Sequence, residues 1–265
     1  GQARRAARGG ASGVTATKHP THLNAGNASA FTLDGTRTFL VGKDRVAVLD
    51  PGPDVVNHVR ALASAVQDAA EVNIVLTHGH ADHAGATRSL AGMLGVEVWG
   101  PEGVEDVDHR LSDGDVVGID AGELVAVHTP GHTVEHLCFY WPQRRALFAG
   151  DMLLGLGDTT WVAEYPGCVA DYLASIDRLR GIDATVAYPA HGPPLDDVTD
   201  ALDRFERHRL DRIRQVEQAL VGNEDATAEQ LLQIVYGGAL PPRMANFATR
   251  SLAALMEHVR GRDGR

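Results

Sequence analysis

His78-Gly79-His80-Ala81-Asp82-His83 follows directly on the apolar run Val72-Asn73-Ile74-Val75-Leu76-Thr77. The run is short and rich in β-branched residues, so it predicts a buried strand that delivers four metal-ligating side chains at its end. Zinc takes His nitrogen and carboxylate oxygen at about 2.0–2.2 Å and needs its ligands to converge on one point. On a tight loop His78 and His80 can face one ion, and Asp82 and His83 a second. Four groups do not complete two coordination shells, so further His or Asp residues are required at other strand ends. Thr129-Pro130-Gly131-His132-Thr133, Phe148-Ala149-Gly150-Asp151 and Tyr188-Pro189-Ala190-His191-Gly192 supply them, each after a short apolar stretch.

With these motifs the chain resembles the metallo-β-lactamase superfamily, whose pattern is an HxHxDH loop, a GHT loop, an Asp after a strand and a final His-Gly. The resemblance implies that His78, His80 and His132 bind a first zinc, that Asp82, His83 and His191 bind a second, and that Asp151 bridges them. It implies that Asp50, in Val46-Ala47-Val48-Leu49-Asp50-Pro51-Gly52, buttresses the His loop from behind; a plain turn residue before Pro51 is the alternative. His136 resembles a position near the site, as a general acid for the leaving group or an ordinary strand residue. Asp82, Asp151 and His136 are thus the residues expected in catalysis. The implied chemistry is hydrolysis, because paired zinc ions bring the pKa of water from ~15.7 towards 7 and provide a bridging hydroxide that attacks a carbonyl or phosphodiester centre. Mn or Fe suits the same ligand types. Flavin-linked iron relatives replace the second His of the first motif with Glu, which this chain does not. His19, His22, His58, His109, His128, His208 and His258 are read as ordinary surface or core residues.

A length of 265 residues with 44% hydrophobic content suits one large domain, or a domain with an appendage. No apolar run approaches the ~18 residues of a membrane span, and no signal-peptide core precedes a cleavage site, so the expectation is a cytoplasmic protein that does not engage a membrane. Cys138 and Cys168 lack CxxC spacing and read as buried small hydrophobes. Residues 1–14, with three Arg and no acid, have the composition of a solvated tail; an organelle-targeting segment is the alternative. The net charge is -11: the tail carries +3, residues 195–265 carry ten basic against twelve acidic groups, and -12 remains on residues 15–194. That acidity suits a site for dications and disfavours long nucleic-acid tracks.

Along the chain, Ala28–Leu33 and Thr36–Val41 flank Asp34-Gly35, a predicted two-residue hairpin. A strand over 45–49, a helix over 54–69 and a helix over 82–94 follow. Strands are expected near 96–99, 115–119, 123–128, 136–141, 145–149 and 184–188, with a helix near 169–180. This reads as mixed α/β. The resemblance implies a four-layer αβ/βα sandwich occupying residues 15–195, with the metals at one edge between two sheets. Over 196–265 a long helix (196–221) shows Leu202, Phe205, Leu210, Ile213, Val216 and Leu220 at helical spacing. Thr227-Ala228-Glu229-Gln230 is a capping box, and a last helix covers about 245–260. These helices, the stretch Asn24–Val41 and the His208-Arg209 pair resemble the β-lactamase-like protein 2 branch with its winged-helix appendage. The expected β wing does not follow the last helix, which points to a truncated, winged-helix-like appendage with a packing or homodimer role. Arg204, Arg207, Arg209, Arg212 and Arg214 are interleaved with Asp203, Glu206 and Asp211, which predicts a solvated, ion-paired face.

The substrate stays open between a small carbonyl compound (thioester, ester or lactone) and the phosphodiester of short single-stranded RNA, which the branch implies. A β-lactamase is disfavoured because the only lysines, Lys18 and Lys43, lie outside the motifs. A non-catalytic metal-binding or regulatory scaffold is opposed by retention of all seven ligand positions.

Overall fold

The computed structural model describes residues 19–237 and 240–263, so the expectation for residues 1–14 lies outside the described residues. The first half forms β1 (Thr21–Asn24), β2 (Arg37–Val41), β3 (Arg45–Leu49), α1 (Val56–Ala65), β4 (Glu71–Val75), α2 (Ala81–Ala84), α3 (Thr87–Leu94), β5 (Val98–Pro101) and β6 (His109–Leu111). The second forms β7 (Val116–Ile119), β8 (Gly122–His128), β9 (Leu137–Trp141), β10 (Ala146–Gly150), α4 (Cys168–Arg180), β11 (Val186–Pro189), α5 (Val198–Leu220), α6 (Ala228–Tyr236) and α7 (Ala245–Asp263).

The strands make two sheets, ordered β1-β2-β3-β4-β5-β6 and β11-β10-β9-β8-β7. In the first, β1, β2 and β3 are antiparallel, and β3 to β6 are parallel with Val48 opposite Ile74. In the second, β7 to β10 are antiparallel and β11 joins β10 in parallel.

Side chains alternate across a strand, so an interior strand feeds two cores. Val46 and Val48 enter a cluster with Val59 and Leu62 of α1 and Leu90 of α3. Ala47 and Leu49 enter a second cluster, between the sheets, with Phe39, Phe139, Phe148 and Tyr188. On β10 the alternation repeats: Ala146 and Phe148 face that central cluster, while Leu147 and Ala149 face Tyr172, Ile176 and Leu202 of α4 and α5. Three apolar interfaces between four layers are the expected αβ/βα sandwich.

Several local expectations are corrected. Residues 28–33 do not pair with β2; β1 does, with Thr21 opposite Leu40. The Ser29 hydroxyl accepts from the backbone N–H of Phe31 and Thr32, and the Thr32 hydroxyl donates to the Asn27 carbonyl at 2.6 Å, so short polar side chains satisfy this segment as a loop. The single helix over 82–94 is two helices. Gly52 donates to the His83 carbonyl and accepts from the Ala86 N–H, both at 2.8 Å, and turns the chain between them. The strand β6 had no apolar signature, since it is three residues long and begins His109-Arg110.

Asp197 caps α5 by accepting from the Asp200 N–H, and Thr227 with Gln230 forms the predicted capping box at α6. Leu202, Phe205, Ile213, Val216 and Leu220 are buried, but Leu210 is exposed. Leu231 of α6 and Leu252, Leu255, Met256 and Val259 of α7 share one cluster with Cys168 and Tyr172, so the C-terminal helices continue the core on the α4 side. No named strand follows β11 among the described residues. No helix there is long and apolar enough to cross a membrane.

Candidate metal centre

The motif residues follow the carboxyl ends of β3 (Asp50), β4 (His78 to His83), β8 (His132), β10 (Asp151) and β11 (His191). The sheets are tied together at this edge. The Leu137 N–H donates to the Thr77 carbonyl and the Arg37 N–H to the Ala190 carbonyl, each at 2.8 Å. Gly150 ends β10 with φ +49, and a Cβ there would lie 2.6 Å from His136 Nε2, so a larger residue would push the chain away just before Asp151.

Ligand-capable atoms of His78, His80 and His132 lie within 4.8 Å of one another, and so do those of Asp82, His83 and His191. A third such group, His78, His83 and Asp151, joins them. The two carboxylate oxygens of Asp151 divide between the sets: Oδ1 is 3.4 Å from His83 Nε2 and 3.3 Å from His191 Nε2, and Oδ2 is 3.5 Å from His132 Nε2. Asp82 Oδ2 lies 3.3 Å from His191 Nε2. All seven expected residues therefore meet at one place.

Buried atoms without a protein partner test whether ions fit. His78 Nε2, His83 Nε2, His191 Nε2 and Asp151 Oδ1 are buried and unpartnered, and all belong to the converging set. Buried polar atoms are normally satisfied. The opposite ring nitrogens are fixed: His83 Nδ1 donates to Asp50 Oδ2 (2.9 Å), His132 Nδ1 to the Trp161 carbonyl (2.8 Å), His191 Nδ1 to the Gly35 carbonyl (3.4 Å) and His78 Nδ1 to the Thr77 hydroxyl (3.0 Å). Each bond leaves a lone pair on Nε2 pointing at the cluster, the orientation that metal-bound histidines take. An all-nitrogen and oxygen donor set of this kind suits two zinc ions, and Mn or Fe by ligand type.

Behind the ligands, Asp50 supports both sets. Oδ1 accepts from the Thr77 N–H, and Oδ2 accepts from the Thr77 hydroxyl and from His83, all at 2.8 to 2.9 Å. Through Thr77 it reaches His78 of the first set; directly it holds His83 of the second. Asp50 takes φ +51, a left-handed conformation uncommon for a side-chain-bearing residue. The Thr38 hydroxyl donates to its carbonyl (2.7 Å), and His58 Nε2 donates to that hydroxyl (3.1 Å). His58, read from sequence as an ordinary residue, thus braces the centre from a third layer.

Of the two readings of His136, general acid or ordinary strand residue, its surroundings favour a structural one. It is buried, its Nε2 accepts from the Asp151 N–H (3.2 Å), and its Nδ1 donates to the Thr129 hydroxyl (2.9 Å). Both nitrogens are committed, so His136 positions Asp151.

Burial, then the neighbouring imidazoles, hold His78 and His136 well below the ordinary histidine range. Burial also acts on His83, but Asp151 and Asp50 outweigh it and raise its pKa. Burial opposes the charge of Asp151, yet His83 and His191 hold its carboxyl far below the usual carboxylate range. A neutral His78 beside an ionised Asp151 suits a dication, and His83 would give up its proton on ligation.

A cleft of about 590 Å³ opens above His80, Asp82, His132 and Asp151. Its walls are mainly apolar: Phe31 from the loop before β2, Leu154, Trp161 and Val162 after β10, Tyr236 of α6, Phe247 of α7, and Leu240 and Met244 from the connection between those two helices. Phe31 and Phe247 meet across it with ring centroids 4.6 Å apart. His208, Arg209, Arg212 and Arg250 add polar lining. The predicted solvated Arg face of α5 is corrected in part: Arg204 and Arg214 pair with Asp200 and Asp211, but Arg209 is buried.

The chain is 33% identical over 232 residues to a β-lactamase-like protein 2 homolog of Caenorhabditis elegans, an alignment covering 82% of this chain and 76% of that one. It belongs to the metallo-β-lactamase superfamily. Family models agree, with a metallo-beta-lactamase superfamily match over residues 93–191 and a beta-lactamase superfamily domain match over 45–139. Within the superfamily the chain is also similar to an atrochrysone carboxyl ACP thioesterase of Aspergillus chevalieri, 33% identical over 238 residues, 83% of this chain and 74% of that one. The fold is that of a solved metallo-β-lactamase family protein from Thermus thermophilus, with TM-score 0.71, 24% identity, and coverage of 89% of this chain and 91% of that one. A β-lactamase domain protein from Burkholderia ambifaria superposes with TM-score 0.76, 20% identity, and coverage of 89% and 84%.

Proposed function

We propose that this protein is a two-zinc hydrolase of small acyl compounds, cleaving a thioester, ester or lactone whose acyl body is largely apolar. The observation that carries the reading is the cleft: about 590 Å³, apolar-walled, and floored by His80, Asp82, His132 and Asp151. Small-molecule sites are of this size, with apolar walls and a few convergent polar groups. A relative named as an acyl-carrier thioesterase supports the same class.

When bound, zinc ions here would supply hydrolytic chemistry by lowering the pKa of water and polarising the scissile carbonyl. His78, His80 and His132 would hold one ion, Asp82, His83 and His191 the other, with Asp151 between them. The chain's own residues do the remaining work. Asp50 fixes the rings of His78 and His83, the Trp161 carbonyl fixes His132, and His136 fixes the backbone of Asp151. Phe31, Trp161 and Phe247 enclose the acyl body and exclude water from it.

A phosphodiester substrate is the second reading. It is favoured by the Arg250 guanidinium over Trp161, 5.0 Å from the ring centroid, and by the aromatic pair Phe31 and Phe247, which can stack bases. The -12 charge of residues 15–194 acts against it. Zinc-loaded protein, with a chelated control, separates the two on a panel of a thioester, a lactone, a chromogenic β-lactam and a short single-stranded RNA. Metal-dependent acyl hydrolysis with intact RNA is expected; RNA cleavage without acyl hydrolysis would overturn the acyl assignment.

A further inference from the structure

Arg209 is buried, at 3% exposure, and lines the same cleft as the ligand cluster. Its Nη2 donates to the Thr160 carbonyl (3.1 Å) and its guanidinium lies 5.1 Å from the centre of the Tyr172 ring. Its Nε has no acceptor in the protein. Arg212 stands three residues on, on the same face of α5, with its guanidinium over Tyr236 and bonded to the Tyr236 hydroxyl and to Gln215. Among the described residues neither has a carboxylate within ion-pair distance, although Arg204 and Arg214 of the same helix and Arg180 facing it all do. In a chain of net charge -11, carboxylates are plentiful. A guanidinium taken out of water without an anion is costly, and an anion that arrives beside it relieves that cost through charge-assisted hydrogen bonds.

We propose that Arg209 and Arg212 form an anion-binding subsite, so that the substrate carries a second, non-reacting anionic group alongside its scissile bond. The inference rests on reading the cleft as the acyl-substrate site and names what that substrate must contain. Five N–H donors in a planar fork match a carboxylate or a phosphate. The subsite also communicates with the centre: the Thr160 carbonyl accepts from Arg209 while the Thr160 hydroxyl donates to the Asp151 carbonyl at 2.7 Å. Anchoring an anion at Arg209 therefore orders the segment that holds Asp151 and aligns the acyl group over its carboxylate. These two arginines are positioning and specificity residues.

The test uses zinc-loaded protein and three thioesters identical except for a distal methyl, carboxylate or phosphate. In the wild type one charged substrate is expected to exceed the methyl one in kcat/KM by at least about tenfold, and its identity tells carboxylate from phosphate. Arg209→Gln and the half-buried Arg212→Gln should bring that ratio towards one, mainly through KM. Equal rates on all three substrates in the wild type would overturn the subsite, as would variants that slow all three alike, which is the signature of a purely structural arginine. If none of the thioesters is hydrolysed, the acyl reading has failed, and the subsite is then decided by calorimetry with the corresponding amides: tighter binding of a charged amide, lost in Arg212→Gln, upholds it, and equal binding of all three overturns it.

Discussion

Asp50 touches no cleft atom, yet it governs both ligand sets, because one oxygen receives the Thr77 hydroxyl and the His83 ring together. Replacing it with Asn would turn an amide N–H or a weaker acceptor towards two donors. Removing such outer partners commonly lowers metal affinity 10- to 100-fold. Asp50→Asn is therefore expected to lose zinc to a competing chelator about 10- to 100-fold more readily than the wild type while retaining its circular dichroism; unchanged zinc affinity would contradict the role. At this scale the sequence was legible where chemistry and position coincide. The HxHxDH hexapeptide, His132, Asp151 and His191 each follow a strand, and Asp50 was read through the resemblance as a buttress, with a plain turn residue as the alternative. His136 shows the limit: its spacing after His132 suggests proximity, but only packing reveals that both its nitrogens are spent on Thr129 and Asp151.

Among the elements, helices and interior strands were the readable parts, because each has a face that must be buried. The clearest case is α6, whose capping box was visible as Thr227 and Gln230 before an apolar run. The structure shows both of its bonds, Thr227 N–H to Gln230 Oε1 (2.8 Å) and Gln230 N–H to Thr227 Oγ1 (3.3 Å). Thr227→Ala should cost about 1 kcal/mol in urea unfolding. A midpoint equal to that of the wild type would mean that α6 is held by Leu231 and its neighbours alone. The segment 28–33 was misread because its alternation suits a strand, whereas Ser29 and Thr32 satisfy the backbone locally. The break between α2 and α3 was hidden because it depends on Gly52, which is distant in the chain and adjacent only in the fold.

For the whole molecule, the sandwich sets the His/Asp cluster at the edge where the two sheets meet, and the C-terminal helices wall the cleft above it. Those walls were not legible in sequence. The pair His208-Arg209 stood out in the sequence, but Phe31, Trp161, Tyr236 and Phe247 come from distant parts of the chain, and tertiary packing alone brings them to it. The proposed hydrolase requires the converging groups to hold two ions rather than one. Metal content per chain, measured by inductively coupled plasma mass spectrometry on zinc-loaded and desalted protein, tests it most directly. About two zinc ions per chain are expected from the two ligand sets joined by Asp151. A saturating content of one ion or fewer in folded protein would contradict the dinuclear centre.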